Sequence, residues 1–153
     1  LLSPAFLQVP EHCFWDTVGE FIASPEVAYT QHYTAPFTEQ NRNYWEQYIS
    51  HFTRLIYLEG IAGSVANGDI APLVGHNAFL RWSAVRKVAF TDDFCGPKEV
   101  RYWSENSVSE DFDMCLRLAN QNLFGRYVMY TGDDFQEGRL SRHVAKIRNL
   151  HTP

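Results

Sequence analysis

Val74-Gly75-His76-Asn77-Ala78-Phe79-Leu80-Arg81-Trp82 sets a polar, glycine-centred turn between two apolar runs. Gly and Asn suit such a turn because both tolerate backbone conformations that other residues avoid. Upstream, Ile70-Ala71-Pro72-Leu73-Val74 comes after the turn signal Asn67-Gly68-Asp69 and reads as a short strand delivering the chain into Gly75. Downstream, residues 81–90 read as a helix. Strand, sharp turn and helix form the unit of an α/β layer fold, where ligands collect at the carboxyl ends of strands. Turn chemistry alone also explains Gly75 and Asn77, with His76 as an ordinary turn histidine.

The same alternation extends both ways. Val9-Pro10-Glu11 opens a helical pattern, with Pro near the first turn, where its missing N–H costs nothing. Phe14, Val18, Phe21 and Ile22 keep helical spacing until Ser24-Pro25. Residues 26–32 read as a strand and residues 34–41 as a loop. The longest helix is expected over residues 43–62, with Trp45, Tyr48, Ile49, Phe52, Leu55 and Ile56 as a core-packing stripe. Residues 91–100 read as a surface loop. A helix starting near Ser109 is expected to bury Phe112, Cys115, Leu116 and Ala119, to end at residues 122–125, and to lead into a strand over residues 126–130. No internal repeat appears.

Composition narrows the function. The chain has 153 residues, 45% apolar and 20% charged, which suits one folded domain with a sizeable core. Lys plus Arg is 13 against 18 Asp plus Glu, a net charge of −5, which disfavours nucleic-acid binding. Four Trp, 8 Tyr and 11 Phe supply anchors for a core or for stacking on a ligand. No run approaches the roughly 20 apolar residues of a membrane span, and residues 1–6 do not read as a secretory signal. Cys13, Cys95 and Cys115 are odd in number and far apart, which points to reduced thiols rather than a disulfide framework or a zinc knuckle. From Arg139 the chain turns basic and loses its apolar rhythm, so the expected division is a domain over residues 1–138 and a divergent tail over residues 139–153. The chain begins without Met, and reads as a fragment or a processed product.

Ser109-Glu110-Asp111-Phe112-Asp113-Met114-Cys115-Leu116-Arg117-Leu118 is the second motif with chemistry in it. Ser109 suits a helix N-cap, and carboxylates in the first turn are favoured by the helix dipole, which is a sufficient structural explanation. A carboxylate fixed at a helix start can also take a proton from an approaching hydroxyl. Residues 110, 111 and 113 diverge by about 100° per step, so they cannot all face one ligand. Asp111 is the best placed to line a cleft.

Taken together, the Gly-His-Asn turn and the Ser-Glu-Asp helix start resemble the second half of a processive family 2 glycosyltransferase. The resemblance is to the fungal membrane-bound enzymes related to cellulose, chitin and hyaluronan synthases, and it spans residues 8–138. Val9-Pro10-Glu11, Phe52-Thr53-Arg54-Leu55-Ile56-Tyr57 and Ala66-Asn67-Gly68-Asp69 agree with it. It implies an α/β, GT-A type fold with a mixed sheet flanked by helices. It further implies inverting sugar transfer from a nucleotide sugar, such as a UDP-sugar, to a growing glycan acceptor. Asp111 would be the general base and Glu110 would support the helix start, while Gly75, His76, Asn77 and Arg81 would bind substrate. Relatives use Mg2+ or Mn2+ and are membrane-embedded with the catalytic domain on the cytoplasmic side.

The chain also departs from that pattern. The family's Asp-x-Asp motif, which holds the donor's metal, would fall at Pro4-Ala5-Phe6-Leu7-Gln8, where there is no carboxylate. The first, nucleotide-binding half of the fold would precede it. The Gln-x-x-Arg-Trp motif is absent from residues 139–153. Weak or no turnover by the chain alone is therefore expected, because a diphosphate leaving group needs electrostatic stabilisation. Two alternatives remain open: a non-catalytic remnant or carbohydrate-binding module, and, ranked last, a metal-dependent hydrolase using His76, Asp111 and another histidine.

Overall fold

The computed structural model describes residues 5–36, 44–92, 99–131 and 136–139. At its centre is β2 (Val27–His32), every residue of which is buried. β2 pairs antiparallel with β4 (Ala78–Leu80) and parallel with β7 (Phe124–Val128), giving a mixed three-stranded sheet of order β4-β2-β7. A second small sheet joins β1 (Ala5–Gln8), β8 (Gln136–Arg139) and β3 (Ala35–Pro36) in the order β1-β8-β3. β5 (Phe90–Asp92) and β6 (Glu99–Arg101) form an antiparallel ribbon. The helices are α1 (Cys13–Ala23), α2 (Tyr44–Leu55), α3 (Ala62–Ala66), α4 (Trp82–Lys87) and α5 (Glu110–Ala119). This is the expected α/β class, compatible with a GT-A type nucleotide-sugar transferase domain.

Side chains of β2 alternate between two layers, as a strand requires. Tyr29 and Gln31 point towards α5 and residues 71–76, where the Tyr29 hydroxyl donates to the Ala71 carbonyl and lies 3.0 Å from Cys115 Sγ. Thr30 and His32 point towards α1, beside Asp16, Thr17, Glu20 and Tyr130. The main core joins Ala28 and Tyr29 to Leu73, Ala84, Val85, Val88, Met114, Cys115, Leu118 and Leu123.

Several sequence expectations need correction. Residues 70–74 are extended but form no strand, because side chains of β2 replace a neighbouring strand. Gln31 Oε1 accepts from the Val74 N–H at 2.9 Å, and Tyr29 bonds the Ala71 carbonyl. The strand lies after the turn, at β4. Phe90 belongs to β5 rather than to a helix, and the expected loop over residues 91–100 begins and ends in the β5–β6 ribbon, with residues 93–98 outside the described set. α5 buries Met114, Cys115 and Leu118, whereas Phe112 and Leu116 are half exposed. Its phase is turned by Arg117, which bonds Asp113 Oδ2 (2.7 Å) and the carbonyls of Val88 (2.6 Å) and Tyr102 (2.8 Å). β7 starts at Phe124, two residues early, because Asn122 takes a left-handed conformation (φ 56°) that reverses the chain sooner.

The long helix is the largest departure. After α2 it passes through a π-helical turn (Ile56–Ile61) into α3. Trp45, Tyr48, Ile49, Phe52, Leu55 and Ile56, expected in the core, are exposed. Only Tyr57 turns fully inward, into a small cluster with Tyr33 and Ala35. A π turn adds a residue to the repeat and rotates the next segment of helix, so the stripe does not continue. Among the described residues no helix is long and apolar enough to cross a membrane. Cys13 and Cys115 are buried free thiols; Cys95 and residues 140–153 lie outside the described residues.

His32 gives the fold a pH dependence. Its imidazole is buried, with Nε2 3.1 Å from Thr30 Oγ1, the Phe79 ring edge-on at 5.4 Å and the Tyr130 ring stacked at 5.9 Å. Burial pushes its pKa from 6.5 down to about 4. Between those values the unfolded chain binds a proton that the folded one refuses, so stability is complete above pH 6.5 and falls as pH drops towards 4. The expected loss is about 3 kcal/mol at pH 4, from roughly 1.4 kcal/mol per unit. Urea unfolding between pH 7 and 4.5 checks it: His32→Gln should flatten the slope above pH 5, where few carboxylates contribute.

Candidate active site

Two segments far apart in sequence meet at the carboxyl end of β2. The first is the turn Gly75-His76-Asn77. Gly75 has φ +86° and Asn77 φ 55°, so the turn uses the left-handed region twice within three residues. Polar side chains from β2 and the residues after it hold the turn in place. Gln31 Nε2 donates to the His76 carbonyl at 2.9 Å, Asn77 Nδ2 donates to Thr34 Oγ1 at 2.6 Å, and the His32 N–H donates to the Asn77 carbonyl at 3.0 Å. Tyr57, delivered inward by the π turn, places its hydroxyl 3.3 Å from His76 Nε2. Its own carbonyl accepts from the Tyr127 hydroxyl at 3.0 Å.

The second segment is the start of α5. Ser109 has extended geometry, and its hydroxyl accepts the Phe112 N–H at 3.4 Å, so it is the N-cap that the sequence implies. The three carboxylates of the first turn separate as helical geometry demands. Glu110 is exposed, Asp113 pairs with Arg117, and half-buried Asp111 faces the Gly75 turn.

The contact between the two segments is close enough to dictate glycine. A Cβ added at Gly75 would lie 1.9 Å from Asp111 Oδ2 and 2.6 Å from its Cγ. The other oxygen, Oδ1, accepts from the indole Nε1–H of Trp103 at 3.3 Å. The carboxylate is thus bracketed between a backbone that has no side chain and an indole edge, with both torsions restricted. Such a group is rigid, half in contact with solvent and an acceptor of hydrogen bonds, which suits it to receive a proton from a bound hydroxyl.

The expected site residues do not all converge. Gly75, His76, Asn77 and Asp111 come together. Glu110 sits one step around the helix, exposed in its first turn, and does not reach the contact. Arg81 is elsewhere: its Nε donates to the Val27 carbonyl at 2.9 Å, its Nη2 donates to the carbonyls of Phe21 and Ser24, and its guanidinium lies 4.8 Å from the Phe21 ring centroid. It clamps the C-terminal end of α1, where carbonyls and the helix dipole favour a cation, and does not join the Gly75–Asp111 contact. Three contributors were missed in the sequence. Gln31 was signalled only as an amide inside an apolar strand, whereas Tyr57 and Trp103 carried no local signal.

Among the described residues no three His, Cys, Asp or Glu side chains converge in a way that could hold a metal ion. Asp111 has a backbone and an indole as neighbours, not a second carboxylate. Beside the site, a groove of about 470 Å³ runs between the π turn, residues 69–72 and α5, lined chiefly by Ile56, Ile61, Ile70, Pro72, Phe112 and Leu116.

No curated protein matches the sequence. Residues 7–147 match the model of the family described as glycosyl transferase family group 2, a span that includes both site segments. The matched span covers nearly the whole chain, and the chain belongs to glycosyltransferase family 2.

Proposed function

We propose that this domain serves the acceptor side of an inverting hexosyl transfer, in which a nucleotide sugar such as a UDP-sugar is the donor and a growing glycan the acceptor. The observation that carries the reading is the Gly75–Asp111 contact, which fixes one carboxylate at the mouth of a polar turn. In the reaction the Asp111 carboxylate takes the proton of an acceptor hydroxyl. That oxygen forms a bond to the anomeric carbon as the bond from that carbon to the diphosphate breaks, and the nucleoside diphosphate leaves from the opposite face. The displacement inverts the anomeric centre because the attacking oxygen, the anomeric carbon and the departing diphosphate oxygen lie in line. Gly75, His76 and Asn77 shape the acceptor side, and Tyr57 steadies His76.

No residue is assigned to the divalent ion that the resemblance implies on the donor diphosphate; among the described residues no three His, Cys, Asp or Glu side chains converge. The steps above describe the chain's own groups. Weak turnover by the chain alone is part of the proposal, since residues 4–8 carry no carboxylate and residues 139–153 no Gln-x-x-Arg-Trp motif to stabilise the donor diphosphate.

The test pairs turnover with binding. With radiolabelled UDP-hexose and an oligosaccharide acceptor, Asp111→Asn should lower whatever transfer the wild type shows by about 10²–10⁴-fold, the usual worth of a general base. Calorimetric acceptor affinity should stay within about threefold, because an amide keeps the shape of the site. Transfer unchanged in Asp111→Asn would remove the base from Asp111. Acceptor binding with no transfer under any donor would favour the carbohydrate-binding reading.

A further inference from the structure

Trp103 lies in the bend between β6 and α5. Its neighbour Tyr102 is fixed twice: its carbonyl accepts from Arg117 Nη2 at 2.8 Å, and its ring packs on Trp82 with centroids 5.0 Å apart. That anchoring sets the direction of the next side chain. The Trp103 indole N–H reaches Asp111 Oδ1, and the residue remains 37% exposed. Among the described residues no aromatic ring or cation packs on Trp103, and its hydrogen-bond partner is the carboxylate at its edge.

An indole in that position offers two things at once. Its edge donates a hydrogen bond to the carboxylate, and with over a third of the residue exposed its ring offers apolar surface beside that carboxylate. A pyranose ring matches both, because its C–H face is apolar and its hydroxyls lie around the rim. Rings whose substituents are all equatorial, as in β-linked glucose or N-acetylglucosamine chains, present the flattest such face. We propose that Trp103 is an acceptor-binding residue, on whose ring a pyranose of the acceptor glycan stacks so that a rim hydroxyl meets Asp111. This rests on the acceptor-site reading of Asp111 and adds to it the platform and the sugar shape.

Tryptophan emission tests it directly, with cellohexaose and chitohexaose as probes. Titration of the wild-type chain with the hexasaccharide that binds should change the emission. Trp103→Leu should lose affinity by about tenfold, the scale of one aromatic contact, together with the emission change. Trp103→Phe, which keeps a ring but not the N–H, should recover part of the affinity. Trp15→Phe, altered at an exposed residue of α1, should keep both affinity and response. Circular dichroism and a cooperative melt establish that each variant is folded. Wild-type affinity in Trp103→Leu would overturn the platform while leaving the Asp111 reading intact. Failure of the wild type to bind either hexasaccharide would overturn the platform for flat β-linked acceptors, while the Asp111 reading stands or falls on the transfer test of Asp111→Asn.

Discussion

Replacing Gly125 with alanine should cost about 3–5 kcal/mol of stability, the largest single-methyl effect expected in this chain. β7 runs beside β2, and Gly125 is in register with Tyr29. A Cβ at Gly125 would lie 2.1 Å from Cε2 and Cζ of the Tyr29 ring and 2.5 Å from its hydroxyl. The ring has nowhere to go. It is fully buried, its hydroxyl bonds the Ala71 carbonyl and touches Cys115, and it sits among the core residues of α4 and α5. Overpacking a core costs about 1–3 kcal/mol, and stranding a buried hydrogen-bonding group costs about 1–3 kcal/mol more. Urea unfolding of Gly125→Ala provides the check. In a double-mutant cycle, Tyr29→Leu should restore part of what Gly125→Ala loses, though Tyr29→Leu is destabilising alone. A Gly125→Ala variant within about 1 kcal/mol of wild type would mean that Tyr29 is not packed against β7.

Gly125 also marks a boundary of what the sequence reveals. Read locally, Asn122 to Gly125 is a helix-ending turn, and it does end one; that the same glycine serves as a strand residue beneath Tyr29 depends on β2, far away in the chain. Local signals did locate α1, β2, the polar turn and the capped start of α5, because each is written in caps, turn residues and short-range periodicity. Residues 70–74 failed as a strand for a reason no pattern carries, since their backbone partners are the Gln31 and Tyr29 side chains. The apolar stripe of α2 predicted burial, yet its residues stay exposed, and it is the π turn after it that packs inward, with Tyr57 buried and Leu58 and Ile61 partly buried against Tyr33 and Ala35. The phase of α5 was misjudged because Arg117, anchored to the Val88 and Tyr102 carbonyls, outweighs the pull of Phe112 and Leu116. Of the site, the two motifs were legible separately. Their contact was not, and neither was Trp103, which completes it.

That contact leads to the second large effect, at Gly75. An alanine there meets two obstacles of different kinds. Its φ of +86° is strained for any L side chain, by about 1–2 kcal/mol. Its Cβ would also occupy the position of the Asp111 carboxylate, 1.9 Å from Oδ2. The backbone of the turn is held by Gln31, Thr34 and His32, so the carboxylate is the part free to move, and moving it breaks its bond from Trp103. Gly75→Ala should therefore melt a few degrees below wild type and, on the role proposed for Asp111, lose transfer like Asp111→Asn, since displacing a catalytic group by about 1 Å can cost 10²-fold. The Trp103 indole proton reports the displacement without any turnover. Its resonance should shift in Gly75→Ala towards its position in Asp111→Leu, and its exchange with solvent should quicken. Asp111→Asn, which keeps an acceptor oxygen, should leave the resonance nearer wild type. An unshifted indole resonance in Gly75→Ala would show that the turn and the carboxylate do not touch, and the site would then have to be rebuilt from Trp103 and Asp111 alone.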